Sequence, residues 1–363
     1  MTIATGLAVG PPAGTDLIIQ AVSQAMEKAG LKIANSILLF LTPEFAHDPQ
    51  PALLAASKAG NCMQVVGCSA AGIFTEQEWV LDAPAAAAMV FGGDVSLAPT
   101  KVSRPDDLIF SLAAPSAINT VWLNEPGIRF GGVSGDATGQ GPFKVWSGGK
   151  VSNAGRCESI FNGVTGQIAV SQGVRALSAP LEITQVSGYD VISLVRQPAL
   201  NVLARELPLE VREMDHIPLH LIMAGITFGE PANAISEGRF RLTPIISTNV
   251  DDRSVTLSAR LSLGERLFWA VRQPLAAERD MRLTLDRIQP TLSGAPAFGL
   301  LFPCMGRGPY FYGGIDRDLE LVKQRYPDMP LIGFYGNGEI GPLNGQNQLY
   351  QYAAVLGLFT ADV

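Results

Sequence analysis

The sequence predicts a mixed α/β (α+β) chain of two domains, whose mixed β-sheets are flanked by helices and contain one duplicated strand–helix–strand–strand unit. Three observations predict it. Apolar runs of strand length alternate with segments of helical periodicity near both ends of the chain. Matching residues in those two regions recur at a nearly constant offset. The middle is dominated by strand patterns, which a simple doubly wound fold does not contain. At 363 residues the chain has room for about two domains of roughly 150 residues each.

The elements follow in order. The opening Gly6-Leu7-Ala8-Val9-Gly10 reads as a strand. A helix from about Asp16 to Ala29 places Ile18, Val22, Ala25 and Ala29 on one face, with Thr15 or Asp16 as cap and Gly30 as its end. The buried run Ile37 to Leu41 is a strand, followed by a short helix with Pro51 in its first turn and Gly60 at its C-terminus. Gln64 to Gly67, the turn Cys68 to Gly72, and the strand Ala85 to Phe91 complete the unit. The C-terminal region repeats it with the strand Gly299 to Phe302, a helix from Asp316 to Arg325, the strand Pro330 to Tyr335, the turn Gly336-Asn337-Gly338, and the strand Tyr352 to Phe359. Phe40 and Phe302 lie 262 apart, Gly67 and Gly333 266, Gly72 and Gly338 266, and Phe91 and Phe359 268. Between them, Gly166 to Val170, Leu181 to Val186, Val191 to Leu194, His220 to Phe228 and a hairpin over Arg241 to Leu261 are strand candidates. Pro198 to Glu206 and Ala276 to Ile288 are helices, and the domain boundary falls near 208–218, giving domains 1–210 and 211–363.

Composition removes several functions. Charged residues are 16% against a usual 25% or so, and the net charge is −7 with no basic cluster, so nucleic acid is excluded as a partner. No apolar run approaches the roughly 20 residues of a membrane span, and the N-terminus lacks the features of a signal peptide. The four cysteines, Cys62, Cys68, Cys157 and Cys304, have neither CxxC nor zinc-ribbon spacing. Free thiols in a cytoplasmic protein, with no disulfide, are expected.

Two loops carry the chemistry. Gly336-Asn337-Gly338-Glu339-Ile340-Gly341 is a literal GxGxxG, but Pro342 and a loop follow it where a dinucleotide site requires a helix. Its glycines instead permit close approach to the backbone. If the strands ending at Phe302 and Tyr335 are parallel, the loop Pro303 to Gly308 opens on the same edge. Cys304, Arg307, Gly308, Tyr335, Asn337 and Glu339 then form one crevice, in which Arg307 suits a ligand carboxylate and Glu339 an ammonium. The alternative is an internal Arg307–Glu339 pair. The matching N-terminal turn carries Cys68 and Ser69, with His47 and Asp48 expected nearby. A Cys or Ser nucleophile for a hydrolase is one reading; a small buried thiol is the other. His216 and His220 flank Pro218, which argues against a metalloprotease helix and leaves a metal or haem ligand as an option.

The run Phe302-Pro303-Cys304-Met305-Gly306-Arg307-Gly308, followed by Gly333-Phe334-Tyr335-Gly336-Asn337-Gly338-Glu339-Ile340-Gly341-Pro342, resembles the C-terminal FIST domain. Val66 to Gly72, Gly131-Gly132 with Asp136, Ser171 to Arg175 and Pro198-Ala199-Leu200 are similar to its N-terminal partner; Val174 departs from the aromatic residue frequent there. The resemblance implies a sensory, non-catalytic module for a small ligand such as an amino acid or a similar small polar metabolite, with no required cofactor. A haem-binding nitric oxide sensor is the family's second theme. The two FIST-like halves fill the chain, so output is expected through a separate signalling protein.

Overall fold

A computed structural model describes residues 2–100, 104–212 and 218–362. They form two compact units. One is discontinuous, residues 1–171 with 281–363, and the other is the stretch 172–280 between them. The division at 210/211 is one of sequence motifs, whereas these units are defined by contacts.

The expected duplication holds in the strand registers, and a third copy accompanies it. In the first repeat Ile37 to Leu41 runs parallel to Val65 to Ser69, with Leu39 opposite Gly67. In the last, Leu301 lies opposite Gly333 in the parallel pair formed by Phe298–Pro303 and Leu331–Tyr335. The antiparallel neighbours match as well: Ser36 faces Phe91, and Phe298 faces Phe359. Between these repeats, Leu108–Ala113 runs parallel to Ile128–Val133, with Ser111 opposite Gly131. At all three glycines a Cβ would stand about 2 Å from the carbonyl oxygen of the residue opposite: 1.8 Å from Leu39, 2.1 Å from Ser111 and 1.8 Å from Leu301. Only glycine lets these strand pairs close.

Each repeat builds one six-stranded sheet from four strands of its own and a hairpin borrowed from another repeat. The hairpin 72–80 of the first repeat pairs on Leu331–Tyr335 of the third. The hairpin 339–350 of the third pairs on Ile128–Val133 of the second. The hairpin 145–151 of the second returns to Val65–Ser69 of the first. The exchange is cyclic, so strands from before and after residue 210 share sheets. One apolar cluster draws Phe40, Phe110, Phe130, Phe302, Phe334 and Phe359 from all three sheets. Phe110 stacks on Phe302 and Phe298 on Phe359. The opposite faces of the first and third sheets are covered by helices, Thr15–Ala29 with Gln50–Ala59 in one case and Arg317–Arg325 with the end of Pro274–Ile288 in the other.

Local details differ from the sequence reading in two places. The first helix is capped by the extended Gly14, with no side-chain cap; Asp16 lies inside the first turn, where a carboxylate meets the positive end of the helix dipole. His220 sits in a short 3₁₀ turn and not in a strand. The unit 172–280 is an antiparallel sheet of eight strands, with the helix Ala199–Glu206 beside it. No described helix is long and apolar enough to cross a membrane, and the four cysteines are unpaired.

Candidate functional site

The same turn is built three times at the C-terminal ends of the parallel pairs. Gly336 N–H donates to the Pro303 carbonyl at 3.0 Å, as Ala70 N–H does to Leu41 at 2.9 Å and Ser134 N–H to Ala113 at 2.8 Å. A 3₁₀ turn follows the first strand of each pair: Pro43–Phe45, Pro115–Ala117 and Met305–Arg307. Met305 N–H donates back to Gly336 at 2.8 Å. The loop 303–308 and the turn 336–339 are therefore stitched together, as parallel strands require.

Register makes the three turns comparable position by position. Glu339 lies opposite Gly132, Ile73 opposite Phe334, and Val145 opposite Cys68. Each is the residue before the one that faces the sheet's close-packed glycine. Two repeats fill this buried position with a β-branched apolar side chain and the third with a carboxyl; all three side chains are at most 1% exposed. Burial drives the Glu339 carboxyl well above the usual carboxylate range, although bonds from Ala353 and Cys304 and the charge of Arg307 oppose the shift. Its Oε2 accepts from Ala353 N–H at 3.1 Å. Its Oε1 has no partner among the described residues. In the first repeat the matching Ala85 N–H is satisfied by the Thr42 hydroxyl at 2.9 Å, and Cys304 stands where Thr42 does. A hydroxyl thus suffices for the structural task. Burial and then Glu339 push the Cys304 thiol far up, so it is un-ionised.

Arg307 is also fully buried. Its guanidinium forms a bidentate ion pair with Asp318, Nε to Oδ2 at 2.8 Å and Nη2 to Oδ1 at 2.9 Å. It donates further to the Ser171 carbonyl at 2.6 Å and hydroxyl at 2.7 Å, and to the Tyr312 hydroxyl at 3.3 Å. The sequence motifs did not mark Asp318 or Ser171 as partners of Arg307. Beneath this pair the Tyr335 hydroxyl donates to Asp316, whose other oxygen caps the helix Arg317–Arg325 at Leu319 N–H. Burial, and then the charge of Asp318, raise the Asp316 carboxyl to about 7. Gly308 is buried where a Cβ would press within 3.2 Å of the Tyr335 ring. Asn337 is exposed at the mouth of the turn, its N–H bonded to Val133.

The N-terminal turn is different. Cys68 lies in the central apolar cluster, and burial followed by Cys157 raises its thiol well above the ordinary range. The Ser69 hydroxyl accepts from Lys144 N–H at 3.1 Å and lies 3.1 Å from the Ser134 hydroxyl. His47 and Asp48 are exposed, and no hydrogen bond joins either to Cys68 or Ser69. The expected nucleophile–base pair is not assembled, because the thiol points into the core and the histidine into solvent. Of the histidines considered for haem, His220 is exposed and His216 lies outside the described residues. Asp136 is held below the usual carboxylate range: burial raises it, but bonds from Gly141, Thr138 and Gly139 outweigh that effect.

Two family models match the chain. The FIST N domain matches residues 35–195 and the FIST C domain residues 199–342. An uncharacterized protein of Mycobacterium bovis is 30% identical over 235 residues, 64% of this chain and 60% of that protein, so the match spans less than two thirds of the relative. An uncharacterized protein of Mycobacterium tuberculosis is 26% identical over 389 residues, 99% of this chain and 100% of its own length. F-box only protein 22 of Homo sapiens is 44% identical over 46 residues, 12% of this chain and 11% of that protein.

Proposed function

The chain belongs to the FIST family, whose domains are sensory domains of signal-transduction proteins, and from that premise we propose that it is a cytoplasmic, non-catalytic sensor of a small polar metabolite of the amino-acid kind. Its ligand contacts the turn pair Cys304–Gly308 and Tyr335–Glu339, and its output passes to a separate signalling protein. The observation that carries this reading is Glu339. The two equivalent positions hold Ile73 and Val145, so the fold is satisfied by apolar side chains there. A buried carboxyl with an unpartnered oxygen costs stability, and a ligand ammonium or N–H that reaches Oε1 recovers that cost. Arg307, held by Asp318 and Ser171, supplies positive charge beside the turn and positions the Met305–Arg307 backbone.

The test is a thermal-shift screen of the proteinogenic amino acids against the wild-type chain and Glu339→Ile. A ligand that binds only the native state raises the melting temperature by mass action. The expected result is at least one amino acid that stabilises the wild type and leaves the variant unmoved. Equal shifts in both proteins reject this site.

A further inference from the structure

The unit 172–280 contains a polar hollow, far in sequence from Glu339 and not used by the function proposed above. Its volume is about 610 Å³, and Glu182, Thr184, Ser193, Arg196, Asp252 and Leu263 line it. One wall is the two-residue turn between Asp190–Leu194 and Gln197–Pro198, in which Leu194 pairs with Gln197. Both turn residues are left-handed, Val195 at φ 48 and Arg196 at φ 62. Such a turn favours Asn-Gly or Asp-Gly, because the left-handed region crowds a Cβ and a β-branched side chain most of all. Val-Arg is a poor pair for folding this turn. The surrounding backbone holds it nonetheless. Val195 N–H donates to the Glu182 carbonyl at 2.9 Å. Arg196 N–H donates to the Thr184 hydroxyl at 2.9 Å, which lies 2.7 Å from the Ser193 hydroxyl.

The strained turn presents Arg196 to the hollow. Its side chain is exposed, and its guanidinium has no hydrogen bond or ion pair among the described residues. Two carboxylates line the same space. Glu182 is only loosely paired, 3.8 Å from Arg266, and Asp252 accepts one bond from Asn249. Leu263 is 65% exposed at the edge. Unpaired positive charge, under-used negative charge and an exposed apolar side chain around one hollow match a molecule with both charges and an apolar side chain. The size favours a short peptide over a free amino acid.

We propose that this hollow binds a short zwitterionic peptide. Arg196 takes its C-terminal carboxylate in a bidentate fork, Glu182 and Asp252 take its N-terminal ammonium, and Leu263 meets its side chain. Violations of local turn preference concentrate at functional sites, where strain is retained because the residue identity is needed.

The probe is L-alanyl-L-leucine, titrated calorimetrically into the full chain. Saturable one-to-one binding is expected, weakened at least about tenfold in Arg196→Gln and unchanged in Glu339→Ile. The N-acetylated and C-amidated forms of the probe should each bind at least about tenfold more weakly. The double variant Val195→Asn, Arg196→Gly should melt higher than wild type and not bind, since it installs the pair this turn favours. Absence of saturable heat at about 10 mM probe, unchanged affinity in Arg196→Gln, equal binding of a blocked probe, or a lowered melting temperature in the Asn-Gly variant would each overturn the proposal. Unchanged binding in Glu339→Ile separates this site from the one proposed for amino acids.

Discussion

The turns of the first and third repeats share one backbone and differ in what they bury. Where the first has Thr42, Phe45, Ser69 and Ile73, the third has Cys304, Arg307, Tyr335 and Glu339. The hydrogen bonds that shape the turn are the same: Ala70 to Leu41 in one and Gly336 to Pro303 in the other. The second repeat sides with the first, since Ala117 and Val145 occupy the places of Arg307 and Glu339. The repeats thus act as internal controls. They separate what the turn needs in order to fold, which is apolar or hydroxyl side chains, from what the third repeat adds, which is a buried charge network and a buried carboxyl.

The largest effect comes from breaking that network. Arg307→Ala leaves Asp318 buried without its bidentate partner, and the cost should be about 3–5 kcal/mol. Urea unfolding measures it. A cost below about 1 kcal/mol would mean that the pair is energetically equivalent to a surface ion pair, and the contrast with Phe45 would lose its meaning. Converting the third turn to the chemistry of the first should act in the opposite direction. Cys304→Thr with Glu339→Ile places a hydroxyl against Ala353 N–H, as Thr42 does for Ala85, and removes the unpartnered oxygen. We expect a gain of about 1–3 kcal/mol together with loss of any amino-acid-induced thermal shift. A destabilised double variant would show that the carboxyl belongs to the fold.

Much of this geometry was legible in the sequence, for identifiable reasons. The offsets between Gly67 and Gly333 and between Phe91 and Phe359 survive as strand register, because a close-packed glycine and a core phenylalanine are each constrained by neighbours on a fixed lattice. The juxtaposition of the loops 303–308 and 336–339 followed from parallel strands alone. The second repeat was not legible. Its helix is only Thr120–Leu123, and its sheet is completed by the hairpin 339–350 from the far end of the chain, so neither helical periodicity nor local strand order reveals it. Asp318 was hidden differently. A carboxylate in the first turn of a helix reads as a dipole partner, and nothing local shows that this turn faces Arg307.

The third repeat also carries a pH dependence that the first lacks, since Ser69 stands where Tyr335 reaches Asp316. Asp316 is raised from 3.8 to about 7, by burial and then by Asp318. A carboxyl whose folded value is raised gives stability that is complete below its unfolded value and is lost as pH rises through the folded one. Wild-type stability should therefore carry a falling component between about pH 4 and 7, with a slope of at most about 1.4 kcal/mol per unit. Denaturant midpoints of wild type and Asp316→Asn across that range provide the check. The variant keeps an oxygen for Leu319 N–H and should lack this component; parallel curves would assign the slope to other groups.

The smallest effect sharpens the comparison most, because it trims one matching side chain in each repeat back to its Cβ. Thr42→Ala deprives Ala85 N–H of its 2.9 Å acceptor in a fully buried turn. An unsatisfied buried donor should cost about 1–2 kcal/mol, and Thr42→Ser, which keeps the oxygen, should recover most of it. Cys304→Ala at the matching place leaves Ala353 N–H bonded to Glu339, so what is lost is the packing of one sulfur atom and its weak S–H bond to Glu339. That cost should be smaller, at or below about 1 kcal/mol. The measurement is the difference between the two losses, by chemical denaturation at one pH. A Cys304→Ala loss equal to or larger than that of Thr42→Ala would mean that the Glu339 bond does not substitute for the hydroxyl. The carboxyl would then have no structural share in the turn, and its retention would rest on Oε1 and whatever reaches it.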